Sequence, residues 1–176
     1  MPIQSYSVTA AIELSLSMVN RPYTGTSGLY AARSVVHSSA MAMCEQLKRL
    51  RSLNGATPSE DLHCTTMYSE VAVPPHEIKF AASRSFALAH ITGATCFGRY
   101  IVLLLKSDVL HRDNRNWIQL GAKYTHPVYQ PHVTMVELSA SLSEAAQANL
   151  VKYVNESGVV GMQITLGPEV VQDNLG

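Results

Sequence analysis

Apolar residues recur at spacings of three and four along one early segment: Val36, Ala40, Met43, Cys44, Leu47 and Leu50. That period lines them up on one stripe and predicts a helix over residues 34–53. Lys48, Arg49 and Arg51 fall in its last turns, where cations suit the helix dipole, and Asn54-Gly55 supplies a left-handed stop. Leu142, Ala146, Leu150 and Val154 step by four and predict another helix, opened by Ser141 with Glu144 as a capping box and ending near Gly158. Elsewhere the period shortens. Residues 28–33, 62–68, 86–97, 99–106, 132–138 and 162–166 are short apolar runs bounded by glycine, proline or small polar residues, and each predicts a strand. The runs at 86–97 and 99–106 are expected to pair around Gly98, and Pro74-Pro75 to close the segment after 62–68. Ser107 is placed to cap a helix reaching Leu120, with Gly121 as its stop. Trp117 repeats with Leu110, Asp113 and Leu120 at helical spacing, which assigns it to packing rather than to nucleotide stacking.

These elements repeat weakly. The helix at 34–53 leads through a short loop to the strand at 62–68, and the helix near 108–120 leads similarly to the strand at 132–138. The expected class is α+β, with two pseudo-symmetric lobes of antiparallel sheet, flanking helices and a shared central cleft. Residues 1–27 fit neither period and read as an N-terminal extension, leaving 28–176 as a single bilobal domain.

Composition narrows the possibilities. A chain of 176 residues with 47% hydrophobic and 15% charged residues folds rather than staying disordered. Its formal net charge of zero disfavours a broad nonspecific nucleic-acid binder and favours a small ligand or short oligonucleotide. The three cysteines form no Cys-x-x-Cys pair and suit reduced thiols; Cys64 is assigned to the core. No apolar run reaches membrane-spanning length and no basic cluster precedes an apolar stretch near Met1, so a soluble cytosolic protein without membrane partners is expected.

Candidate chemistry lies in the histidines. Four of the seven, His37, His63, His90 and His132, stand two residues before a serine or threonine. About one such match is expected by chance, so context has to decide. His37 falls in a predicted helix, where residues two apart face different ways. His90 lies in a strand interrupted by Gly93. His63-x-Thr65 and His132-x-Thr134 share the helix–loop–strand setting, and in a strand i and i+2 face the same side. Each pair therefore puts an imidazole beside a hydroxyl. Across a cleft, two imidazoles can act as base and acid near neutral pH while the hydroxyls donate to phosphate oxygens. A zinc site needs three or four converging ligands, and these strands supply one each, so neither metal nor other cofactor is expected. The competing reading makes both histidines ordinary strand residues with satisfied hydrogen bonds.

The paired motifs in "LHCTTMYS" and "QPHVTM", together with "ITGATCFGRYIVLLLKSD" and the Trp117 helix ending in "LGAKY", resemble the two-histidine phosphoesterase superfamily over roughly residues 28–170. Within it, "LHCTTMYS" and the spacing between the motifs look most like the phage anti-CBASS nucleases. The resemblance implies a metal-independent phosphodiesterase that linearises cyclic di- and trinucleotide alarm signals in the host cytoplasm. It implies His63 and His132 as the acid/base pair, with Thr65 and Thr134 on the scissile phosphate. It also offers Tyr30, the aromatic residue nearest the N-terminal strand, for stacking on a base, beside the plainer reading of a half-buried strand tyrosine, and Glu169 as an acceptor for a base amino group, where a solvated loop glutamate is the plainer reading. Two other readings stay open: an RNA-end enzyme acting on 2′,3′-cyclic phosphates or 2′–5′ linkages, and a protein that sequesters a nucleotide uncleaved. Which histidine is the base is not fixed by the sequence.

Overall fold

The computed structural model describes residues 23–48, 56–58 and 61–174. Residues 1–22 of the expected extension, and the Arg49–Arg51 and Asn54-Gly55 signals, lie outside the described residues. Among the described residues, seven strands form one antiparallel sheet: β1 (Gly28–Val35), β2 (Ala56–Pro58), β3 (His63–Ser69), β4 (Ala87–Phe97), β5 (Tyr100–Lys106), β6 (His132–Leu138) and β7 (Gln163–Asn174). Four described helices flank them: α1 (His37–Gln46), α2 (Pro75–Ala81), α3 (Asp108–Gln119) and α4 (Glu144–Glu156).

The sheet order is β2-β6-β5-β4-β7-β1-β3. Two halves are legible in it. β5 runs through α3 to its antiparallel neighbour β6, and β1 runs through α1 to its antiparallel neighbour β3. β4 borders the first unit and β7 the second, which gives the pseudo-symmetry expected from the sequence. β7 is the seam: residues 163–166 pair with β4, and the strand beyond Leu166 pairs with β1. Pro168 sits at the register shift between Arg33 and Val35, where a missing backbone N–H does least harm. The sheet curls until β3 and β6, which are not neighbours in its hydrogen-bonded order, lie beside one another.

Most boundaries follow local signals. Gly98 takes φ +57° and makes the tight β4–β5 turn; Gly121 takes φ +97° just after α3. α3 buries Leu110, Asp113, Asn114 and Trp117, one face at helical spacing. Other signals yield to tertiary pairing. α1 begins at His37 rather than at residue 34, because Ser34 pairs with His63 and Val35 with Leu166. Ser107 stands at the N-cap of α3, yet its hydroxyl donates to the Leu88 carbonyl at 2.7 Å instead of capping. The cap of α4 is Ser143, which accepts from Ala146 N at 3.2 Å, while Ser141 bonds Ser139. Pro75 starts α2 as its first residue besides ending the preceding segment. β7 runs on to Asn174 because β1 extends its pairing.

Two apolar clusters share the interior. The larger joins Met43 and Leu47 near α1, Leu103 and Leu105 on β5, Val133 on β6 and Val154 on α4; the smaller joins Leu29, Met67, Val73 and Trp117. Between them is buried a polar knot. Arg33, fully buried, donates from Nε and Nη2 to Asp113 Oδ2 at 2.9 and 2.8 Å, and from Nη1 to the carbonyls of Ser85 and Gly167 at 2.7 Å each. Such a pair is held by the hydrogen bonds of Asp113 Oδ2 and of the two carbonyls together, rather than by Coulomb attraction alone.

Candidate active site

β3 and β6 are built alike. Each begins with its histidine, each has threonine at the third position, and both carry the same alternation of half-buried and buried residues. His63 and Thr65, like His132 and Thr134, are half-buried on one face, while Cys64 and Val133 between them are fully buried. Tyr129, in the loop leading to β6, donates its hydroxyl to the Thr65 carbonyl at 3.0 Å and lies 3.9 Å from the Cys64 thiol, fastening one His strand to the other. His63 is near enough to His132 that a charge on it disfavours a proton there.

The rings are also oriented alike. His63 Nδ1 lies 3.2 Å from the Asp61 carbonyl, and His132 Nδ1 lies 2.8 Å from the Gln130 carbonyl, each two residues upstream. A carbonyl at Nδ1 selects the tautomer protonated there and leaves Nε2 as the reactive nitrogen. Among the described residues no hydrogen bond occupies either Nε2. The surroundings then differ. The Asp61 carboxylate stands 3.1 Å from His63 Nδ1, whereas Gln130 brings no charge. Burial, the largest influence, pulls His63 down, but the Asp61 bond and charge together lift it above the ordinary histidine value. His132 lies below that value, first through burial, with His63 and His126 adding positive charge nearby.

Tyr30 stands in the same place. Its hydroxyl is 3.2 Å from Thr65 Oγ1, and its ring meets His63 edge-on at 6.3 Å. Burial pushes the phenol up to about 12, so it remains protonated. A protonated phenol can donate to Thr65 Oγ1, which frees the threonine proton for an anionic oxygen.

Glu169 does not join this group. It is register partner to Arg33, which pairs with Cys64, so it shares the face of Cys64 and Thr66, opposite to His63 and Thr65. Its carboxylate accepts from Thr66 Oγ1 at 2.6 Å, Trp117 Nε1 at 3.1 Å and Ser83 N at 2.8 Å, and burial raises its pKa. Trp117 is fully buried against it, in the packing role its spacing predicts. His37 and His90 are exposed.

Three neighbours escaped the sequence reading. Asp61 precedes its histidine in a loop with no pattern of its own. Tyr129 reaches the site only because the sheet curls. Phe97 meets the His132 ring edge-on at 5.0 Å from the far end of β4 and is 40% exposed. Among the described residues no three His, Cys, Asp or Glu side chains are grouped to hold a metal ion, and no helix is long and apolar enough to cross a membrane.

Residues 27–173 match the family model described as anti-CBASS protein Acb1. The protein of that name from Escherichia phage RB16 is 31% identical over 113 residues, covering 62% of this chain and 62% of the relative. This chain thus matches less than two thirds of that relative's length. The one from Acinetobacter phage Ac42 is 24% identical over 150 residues, covering 83% of this chain and 90% of the relative. Among solved structures, TT0787 of Thermus thermophilus superposes with a TM-score of 0.55 over 81% of this chain and 86% of its own, a likeness of fold at 15% identity. The family match runs from β1 almost to the end of β7 and takes in both His-x-Thr strands: this α+β chain belongs to the anti-CBASS protein Acb1 family.

Proposed function

We propose that this protein is a metal-independent phosphodiesterase that opens cyclic di- and trinucleotide signals to linear products in the cytoplasm of an infected bacterium, and so counters CBASS immunity. The observation that carries this reading is the matched geometry of His63 and His132, each held through Nδ1 with Nε2 left for substrate. One Nε2 takes the proton of a ribose 2′-hydroxyl. The 2′-oxygen forms a bond to the adjacent phosphorus as the bond from phosphorus to the 5′-oxygen breaks. The second Nε2 gives its proton to that leaving oxygen. The ring opens with a 2′,3′-cyclic phosphate at one end and a 5′-hydroxyl at the other. Thr65 and Thr134 donate to the nonbridging oxygens as their charge grows. Tyr30 supports Thr65 and offers its ring to a base. Glu169 enters from behind, through Thr66 and Trp117.

The test is incubation of purified protein with 3′,3′-linked cyclic GMP–AMP, cyclic triadenylate and a linear RNA in excess EDTA, with products read by mass spectrometry. Linear products from the cyclic substrates are expected, and they should vanish in His63→Ala and His132→Ala proteins. Intact cyclic substrates beside cleaved RNA would replace this reading with the RNA-end enzyme. Intact ligand recovered from denatured protein would replace it with sequestration.

A further inference from the structure

The two histidines are nearly symmetric in backbone and tautomer, and one side chain breaks the symmetry. We propose that Asp61 is a positioning residue that fixes the direction of proton transfer, holding His63 as the acid that protonates the leaving 5′-oxygen and leaving His132 as the base for the 2′-hydroxyl. This rests on the phosphodiesterase reading above and gives each of its histidines one role.

The asymmetry lies at the position two residues before each histidine. Both positions present a carbonyl to Nδ1, at 3.2 Å for Asp61 and 2.8 Å for Gln130. Only Asp61 adds a carboxylate oxygen, at 3.1 Å from the same nitrogen. A carbonyl orients a neutral ring and leaves a lone pair on Nε2. A carboxylate also stabilises the doubly protonated ring, which carries a proton on Nε2 to give away.

The other groups facing the pair do not cancel this. His63 meets Tyr30 from β1, a phenol that stays neutral, and His132 from β6. Cys64 beside it is a thiol that burial pushes up to about 12. His132 meets His63, His126 from the preceding loop and the apolar edge of Phe97. Any positive charge on His63 or His126 therefore disfavours a proton on His132. The directions agree: His63 is raised and His132 is lowered about the ordinary value of 6.5. His132 loses its proton as pH climbs through a value below 6.5, and His63 keeps its proton until pH passes a value above 6.5. The working combination, protonated His63 with neutral His132, fills the interval between them.

The experiment compares wild type with Asp61→Asn, which keeps the backbone carbonyl and the side-chain shape, and with Asp61→Glu, which keeps the charge. Histidine ring carbons are titrated by NMR in the free protein, and kcat/KM is measured against pH. Asp61→Asn should lower the His63 pKa by about one unit, leave His132 nearly in place, and move the alkaline limb of the rate profile down with His63. Asp61→Glu should restore most of both. A cyclic GMP–AMP carrying sulfur at the bridging 5′ position has a leaving group that needs no proton. It should erase the rate defects of Asp61→Asn and His63→Ala but not that of His132→Ala. A His63 titration unmoved by Asp61→Asn, or a sulfur substrate that rescues His132→Ala instead, would overturn the proposal. If wild type opened no cyclic nucleotide, the phosphodiesterase reading would fail, while the NMR titration would still decide whether Asp61 holds His63 protonated.

Discussion

At the scale of single residues, the proposed mechanism separates groups that move protons from groups that hold the substrate still. Replacing either histidine by alanine should lower kcat/KM by about 10²–10⁴-fold, the usual worth of a positioned acid or base. Thr65→Val and Thr134→Val keep the shape and remove the donor. Each should cost about 10²–10³-fold in kcat with little change in KM, measured by initial rates, because the bond strengthens as charge develops. Tyr30 divides by atom. Tyr30→Phe keeps the ring and loses the hydroxyl 3.2 Å from Thr65 Oγ1. Tyr30→Ala loses stacking as well, worth about 1–3 kcal/mol per base, and should raise KM by about tenfold to hundredfold where phenylalanine does not. Equal KM values for the two variants would remove the ring from base recognition.

At the scale of elements, helices deliver polar groups to the sheet rather than apolar cover alone. α3 carries Asp113, Asn114 and Trp117 to Arg33, the Thr66 carbonyl and Glu169. Arg33 is fully buried, so Arg33→Met removes both hydrogen bonds to the buried Asp113 Oδ2, leaving that carboxylate only the partly exposed Arg112 at 3.6 Å, and should destabilise by about 3–5 kcal/mol in chemical denaturation. A change of under 1 kcal/mol would mean that the knot relaxes around its loss. α4 shows a gentler form of the same device. Asn155 accepts from Ala94 N at 2.9 Å and donates to Ala94 O at 3.0 Å, close to the register shift between Ile91 and Gly93. Here a side chain stands in for a neighbouring strand, which β7 no longer supplies beyond its pairing with residues 87–90. The repeat of four along α4 announced its apolar stripe, but Asn155 had no signal, since its partner exists only once the helix has docked.

At the scale of the whole molecule, the proposed pairing of the two histidines depends on the curl that brings β3 beside β6. β3 is an edge strand and β6 is bordered by β5 and β2, so no ladder of backbone bonds joins them. Tyr129 does part of that work, through Thr65 O and contact with Cys64. Tyr129→Phe should lose about 0.5–1.5 kcal/mol of stability. It should lower kcat more than that modest loss suggests, because a misplacement of about 1 Å between acid and base is costly. Unchanged kcat in a measurably destabilised Tyr129→Phe protein would show that the curl is held by the apolar core instead.

The sequence by itself determined what local chemistry determines. Period-two and period-four patterns set most strands and helices, Gly98 and Gly121 set turns, and His-x-Thr in a strand necessarily puts both side chains on one face. The same alternation explains Glu169: its position along β7 is plain, but its face follows from register with Arg33 and Cys64, which no local pattern encodes. Likewise α1 starts late because Ser34 and Val35 are claimed by distant strands, and β7 runs long because β1 extends it. The difference between the two histidines is in part written locally, since Asp61 and Gln130 stand at matching positions. It acquires meaning only in three dimensions, where β3 comes to lie beside β6 and the charge on His63 bears on His132.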